Sequence, residues 1–189
     1  MKRRTTWILV ECAMMLAMAI VLSLIPPFKM PQGGSVTYAS MVPIVLVSYR
    51  HGIKWGVGTA FAFSLLQMLL GFYPPPAQTF LAFVGVIALD YVLAFTVLGT
   101  ASVFGKPFKN RVLSVAVGAS AVVFLRFLCS FLSGILIWSS YAPEGTPVWI
   151  YSLTYNGGYM LPELIITTVV AMIIVPVLDR FVGGASKQA

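Results

Sequence analysis

The 189-residue sequence predicts an all-α integral membrane protein, a bundle of six transmembrane helices with both termini cytoplasmic. Three observations carry this. Hydrophobic residues make up 59% of the chain, charged residues only 9%, and the mean hydropathy is +0.95. Soluble domains carry about 25% charged residues, so this chain has too few ionic groups to cover a water-facing body. The apolar residues fall in runs, and each bilayer-spanning helix needs roughly 20 of them. The length therefore holds about six spans and leaves no room for a soluble domain. Residues 1–189 read as a single transmembrane domain.

The third observation is the placement of charge. Residues 6–25 form the first predicted helix, stopped by Pro26-Pro27. The opening Lys-Arg-Arg and apolar run resemble a signal peptide, but Glu11 interrupts the run and no small-residue cleavage pattern follows, so the segment reads as a retained helix. A loop with Pro31, Gly33 and Gly34 leads to a short second helix over residues 38–49, ending at Arg50-His51. The third helix covers 53–72 and is closed by Pro74-Pro75-Pro76. The fourth covers 79–104 and the fifth 112–139. The sixth begins between Asn156 and Leu161 and ends near Val182. With these boundaries Lys2, Arg3, Arg4, Arg50, Lys54, Lys106, Lys109, Arg111, Arg180 and Lys187 share one side, leaving Lys29 opposite and Arg126 inside helix 5. Basic residues concentrate on the cytoplasmic face. The net charge of +7 is thus topological and does not point to nucleic acid.

Charged side chains at membrane depth are costly and normally face a bundle interior. Asp90 lies in the middle of helix 4 beside Tyr91, and its carboxylate either pairs with Arg126 or balances a cationic ligand. Arg126, deeper along helix 5 than the polar cluster above it, reads as structural. Glu11 and Glu163 lie close to helix ends and read as interfacial. On helix 5, Ser130, Gly134 and Trp138 fall within an arc of about 80°, giving one face a hydroxyl, a gap and an aromatic plate. The aromatic and amide-rich string from Trp149 to Tyr159 follows on the same side. Aromatic walls with a few placed polar groups describe a small-molecule pocket, and such rings attract cations.

Other chemistry finds little support. There is no phosphate-binding Gly-rich loop and no zincin or nucleophile-elbow motif. The sole histidine, His51, reads as a solvated or headgroup-facing loop residue, which disfavours a triad or a metal site. Cys12 and Cys129 lie on different helices and read as packing residues. Two rival classes stay open on residues alone: an intramembrane enzyme, and a stand-alone secondary transporter for a small organic cation. The second would show internal repeats, and none is detectable.

Three segments together narrow the choice: Leu89-Asp90-Tyr91; Arg126 through Gly134 with Trp138; and Tyr151-Ser152-Leu153-Thr154-Tyr155-Asn156-Gly157-Gly158-Tyr159-Met160-Leu161-Pro162-Glu163. With Gly33 to Thr37 and Met41 to Ile44, they resemble the thiamine-specific S components of energy-coupling factor (ECF) transporters, in order and over nearly the whole chain. The resemblance implies a non-enzymatic vitamin-binding subunit. It would work in the cell membrane with a transmembrane coupling subunit and two ATPase subunits. It also implies an outward-facing pocket between helices 4–6 capped by loop 1, with thiamine as transported ligand and no cofactor. Asp90 would face the thiamine cation, Trp138 would stack on a ligand ring, and Tyr151 and Asn156 would bond the aminopyrimidine. Tyr91, Ser130 and Gly134 would line the pocket, and Ala13 and Ala17 would form the coupling-subunit interface. The chain departs from the family pattern at Ser130, where a His is expected, and in a loop 1 without Trp, where Phe28 or Tyr38 can substitute. A pyrimidine or thiazole relative of thiamine is the alternative ligand.

Overall fold

In membrane, a backbone without water must satisfy its own hydrogen bonds, so long apolar runs become helices. The computed structural model describes residues 2–185, with side chains for 5–179. The side chains of Lys2, Arg3, Arg4 and Arg180, and all of Lys187, which entered the charge reading, lie outside the described residues. The helices are α1 (Lys2–Leu24), α2 (Val42–His51), α3 (Ile53–Gly71), α4 (Phe80–Gly105), α5 (Arg111–Leu136) and α6 (Val148–Ala185). Among the described residues five of them, all but α2, are long and apolar enough to cross a membrane. Large apolar side chains such as Trp7, Leu69, Leu81, Leu136 and Ile173 stand exposed on their outer faces, where lipid rather than water suits them. The chain is a helical membrane protein.

Three helix boundaries and the form of loop 1 differ from expectation. Helix α6 starts at Val148, well before Asn156, because the Pro147 carbonyl accepts from the N–H groups of both Ile150 and Tyr151 and nucleates the first turn. Its Gly157-Gly158 pair reads as loop in water, yet membrane helices tolerate Gly. Helix α2 starts at Val42 instead of residue 38, since the Thr37 hydroxyl engages the Ser40 hydroxyl (2.7 Å) and N–H (3.2 Å) in a turn. Helix α5 ends at Leu136, so Trp138 sits in the following turn. Loop 1 is not wholly irregular: β1 (Phe28–Lys29) pairs antiparallel with β2 (Ser35–Val36).

Helix α4 is also irregular. It widens into a π turn over Ile87–Leu93 and tightens into a 3-10 turn over Val97–Thr100. π turns inside α-helices are frequent at functional sites, and this one carries Asp90 and Tyr91.

The ten residues of α2 extend about 15 Å, half of a ~30 Å hydrocarbon core. Its residues Val42 to Ser48 are buried among the other helices. Glu11 of α1 clamps its far end, forming an ion pair with Arg50 (Nε at 2.5 Å) and meeting His51 Nε2 at 2.9 Å. His51 is therefore neither solvated nor lipid-facing as expected, because Glu11 supplies a partner that the chain's linear order hides. Above α2, residues 30–41 run non-helically into the bundle, with Thr37, Ser40 and Met41 at most 5% exposed.

Gly34 has φ +89°, and a Cβ there would press on the Tyr159 ring at 2.7 Å. Gly52 has φ +81° with open space around it. Both alanine substitutions carry the left-handed strain, of order 1–3 kcal/mol; only Gly34→Ala adds the clash. Thermal unfolding in detergent should therefore show a clearly larger drop in midpoint for Gly34→Ala than for Gly52→Ala.

Candidate functional site: a carboxylate and aromatic cavity under loop 1

The C-terminal ends of α1, α3 and α5 and the N-terminal halves of α4 and α6 converge beneath loop 1 around a cavity of about 380 Å³. It lies at the end of the bundle away from Arg50, Lys54, Lys106, Lys109 and Arg111, which follow from the opposite helix ends. All seven residues singled out in the sequence, Asp90, Tyr91, Ser130, Gly134, Trp138, Tyr151 and Asn156, line this one cavity. The cavity is broader than a space between helices 4–6, because Ser23 of α1 and Gln67 and Gly71 of α3 also border it.

Asp90 projects from the π turn and accepts two hydrogen bonds, from the Ser133 hydroxyl at 2.7 Å and from Trp138 Nε1 at 3.0 Å. Both reach Oδ2. Trp138 Nε1 also lies 3.1 Å from Ser133 Oγ, so carboxylate, hydroxyl and indole form a closed triangle. Hydrogen bonds to a charged acceptor are stronger than neutral ones, and here they fix the plane of the Trp138 ring. Tyr141 stacks on that ring at 6.0 Å and Tyr73 tilts against it at 6.5 Å. Among the described residues Asp90 forms no ion pair with Arg126; of the two expectations for Asp90, the structural ion pair is not met.

Arg126 corrects the sequence reading. It lines the cavity, with Nη1 3.0 Å or less from Met41 Sδ (2.9 Å) and its guanidinium 4.2 Å from the Phe95 ring centroid. Glu163 corrects it further: it is 1% exposed and lines the cavity instead of meeting the interface. Its Oε1 accepts the Thr37 N–H of the non-helical segment. The early start of α6 explains the miss. Tyr151, Tyr155, Tyr159 and Glu163 recur every fourth residue, a single helical stripe that is invisible when the segment is read as loop. Ring centroids along it are 5.7 and 6.4 Å apart.

The remaining residues divide between wall and support. Tyr91 closes the end of α3, its hydroxyl accepting from Tyr73 N–H (2.9 Å) and donating to the Gly71 carbonyl (2.8 Å). Gly134 lets α5 and α6 approach, since a Cβ there would collide with the Ser152 side chain. The Asn156 amide donates to the Ser152 carbonyl (3.0 Å), and its oxygen accepts from Tyr159 (3.0 Å). Ser130 is 8% exposed. Far from the cavity, Ala13 and Ala17 are exposed on the outward face of α1, whereas Cys12 and Ala19 are buried on its inner face. Among the described residues no three of His, Cys, Asp and Glu come together as a metal cluster.

With this geometry in place, comparison with known proteins decides the family. Residues 9–182 match the family model described as "Thiamine transporter protein". The chain belongs to that family. It is 38% identical over 175 residues to the thiamine transporter ThiT of Bacillus subtilis, covering 86% of each chain. It is 29% identical to ThiT of Lacticaseibacillus paracasei, over 96% of this chain and 93% of that one. A solved structure of ThiT from Listeria monocytogenes shares the fold, with a TM-score of 0.74, 22% identity, and coverage of 94% and 97%. The family is one of transporters, so the intramembrane-enzyme alternative falls away.

Loop 1 is tied to the cavity wall chiefly by tyrosines. Tyr155 Oη accepts from Gln32 N–H and donates to the Gly33 carbonyl, both at 2.9 Å, while Tyr73 donates to the Pro31 carbonyl at 2.7 Å. A net hydrogen bond contributes about 1 kcal/mol. Tyr155→Phe should therefore speed amide exchange at Gln32 at least roughly fivefold, with α3 unaffected, as read by hydrogen–deuterium exchange.

Proposed function

We propose that this chain is the substrate-binding subunit of an ECF-type importer, taking thiamine from outside into the cavity under loop 1. The observation that carries this reading is Asp90, held at membrane depth by Ser133 and Trp138 with no cation among the described residues bound to it. A buried carboxylate without a positive partner is expensive, and a fixed cation such as a thiazolium relieves that cost. Its second oxygen, Oδ1, is the one that meets the ligand. The names of the two relatives support thiamine as that cation.

Each lining residue then has a role. Trp138, locked in plane, stacks on a ligand ring, and aromatic faces add cation–π attraction. Tyr151 and Asn156 bond the aminopyrimidine, with Asn156 exchanging its present intramolecular bonds for ligand bonds. Tyr91 and Gly134 shape the wall. Ser130, smaller than the His of the family pattern, leaves extra room beside the ring. Loop 1 is the lid, released when its tyrosine and Glu163 bonds open.

The topology follows the same logic. Six helices, with α2 as a buried half-span continued by the non-helical segment 30–41, place both termini with the basic loops in the cytoplasm. The whole chain acts as one binding unit, and binding itself needs no cofactor. Movement of the vitamin requires a transmembrane coupling subunit and two ATPase subunits. Ala13 and Ala17 support this: small exposed residues one turn apart let another helix approach closely.

Asp90→Asn keeps shape and removes charge. It should weaken thiamine binding at least roughly tenfold, about 1.4 kcal/mol, in a calorimetric titration; unchanged affinity would sink the charge-balancing role. Replacing Ala13 and Ala17 together by Leu should leave thiamine affinity intact yet abolish co-purification with the coupling and ATPase subunits. Retained co-purification would exclude this face of α1 as the interface.

A further inference from the structure

The end of the bundle opposite the cavity under loop 1 carries another hollow, at the turn between α4 and α5. Helix α4 ends at Gly105 and α5 begins at Arg111, so a short connection from Lys106 to Asn110 joins them. That connection is held in shape by its own bonds. The Lys106 N–H donates to the Val103 carbonyl (3.2 Å) and the Phe108 N–H to the Gly105 carbonyl (3.1 Å), while Pro107 has a ring-fixed φ. The Asn110 side chain then caps α5, accepting from the Leu113 N–H at 3.1 Å. A Cβ at Gly105 would collide with the Tyr49 hydroxyl, which donates to the Ser114 carbonyl at 2.6 Å. The two helix ends thus approach closely, and Tyr49, Ser102 and Ser114 line a hollow of about 320 Å³ beside the turn.

Its charge has one sign. Lys106, Lys109 and Arg111 line it, and no Asp or Glu does. Arg111 is braced: its guanidinium lies 5.0 Å from the Tyr49 ring centroid, and Nε donates to Asp179 Oδ2 at 2.6 Å. Asp179 does not line the hollow and offsets only one of the three charges. Among the described residues Lys106 and Lys109 form no ion pair. Like charges gathered on one short turn repel, and an anion in the hollow relieves that. Elsewhere at this end Arg50 is taken by Glu11, and Lys54 lies outside the hollow.

The rim selects the kind of anion. Val103 and Phe104 at the end of α4, Phe108 in the turn, and Val112 and Leu113 at the start of α5 are all exposed. A soluble anion leaves these side chains bare; an amphiphile covers them with its tails while its head enters the hollow. We propose that this hollow binds the headgroup phosphate of an anionic phospholipid in the cytoplasmic leaflet. Lys106 and Lys109 meet the phosphate oxygens as point charges, Arg111 stands beside them, and the acyl chains lie against Val103, Phe104, Val112 and Leu113. Anionic lipids of that leaflet attract basic groups at the membrane surface. The site depends on the cytoplasmic placement of the basic loops and not on which molecule the opposite cavity holds.

Native mass spectrometry of the purified wild-type chain reads the site when phosphatidylglycerol, phosphatidylcholine or inorganic phosphate is titrated in. Phosphatidylglycerol should bind at least roughly tenfold more tightly than phosphatidylcholine. Lys106→Gln combined with Lys109→Gln should remove most of that preference, whereas Lys106→Arg with Lys109→Arg, or Lys54→Gln alone, should keep it. Equal binding of the two lipids, or a preference undiminished in the double Gln variant, overturns the site. Displacement of the lipid by an equal concentration of inorganic phosphate assigns the hollow to a soluble anion and also overturns it. So does a double Gln variant that keeps its lipid preference but no longer co-purifies with the coupling subunit, which assigns the face to an acidic protein surface.

Discussion

The structure turns on a stretch of backbone that enters the helix bundle without being helical. Residues 30–41 run from loop 1 into the bundle, and every N–H and C=O they bring must find a partner where water is scarce. The hairpin of β1 and β2 supplies some partners, and the Met30 N–H reaches the Gly34 carbonyl at 2.9 Å. Others come from side chains elsewhere in the chain: Tyr155 and Glu163 of α6 to Gln32, Gly33 and Thr37, and Tyr73, just after α3, to Pro31. The ten-residue α2 follows directly on this segment and is buried among the other helices.

That arrangement couples lid and pocket in one set of contacts. The face of α6 that satisfies loop 1 is also the wall of the cavity, since Tyr155 and Glu163 belong to both. Across the cavity, α4, the end of α5 and the turn after it contribute the Asp90, Ser133 and Trp138 triangle. A ligand that presses on the tyrosine stripe thus acts on the bonds that hold loop 1. In the proposed reading, binding and lid closure share residues and need no separate transmission path.

Much of this was legible in the sequence because membrane helices obey simple length and charge rules. The long spans, the depth of Asp90 and the convergence of its aromatic neighbours followed from hydropathy and helical spacing. Contacts between distant segments did not follow. Glu11 against Arg50 and His51 joins residues about 40 positions apart, and Glu163 against Thr37 joins residues further apart still. By sequence Glu163 lies near a helix end and reads as interfacial. Once α6 began at Val148, the same residue lay four turns inside a helix and faced the bundle. Local composition misplaced the start of α6, because a Gly-Gly pair amid aromatics signals a turn in water and not in lipid.

The central claim is that thiamine occupies the cavity beside Trp138. Of the four tryptophans, only Trp138 lines it. Intrinsic fluorescence of the purified chain, titrated with thiamine, measures this directly. The expected result is saturable quenching at one thiamine per chain that vanishes in Trp138→Phe. No change up to millimolar thiamine, or quenching that persists undiminished in Trp138→Phe, would contradict it.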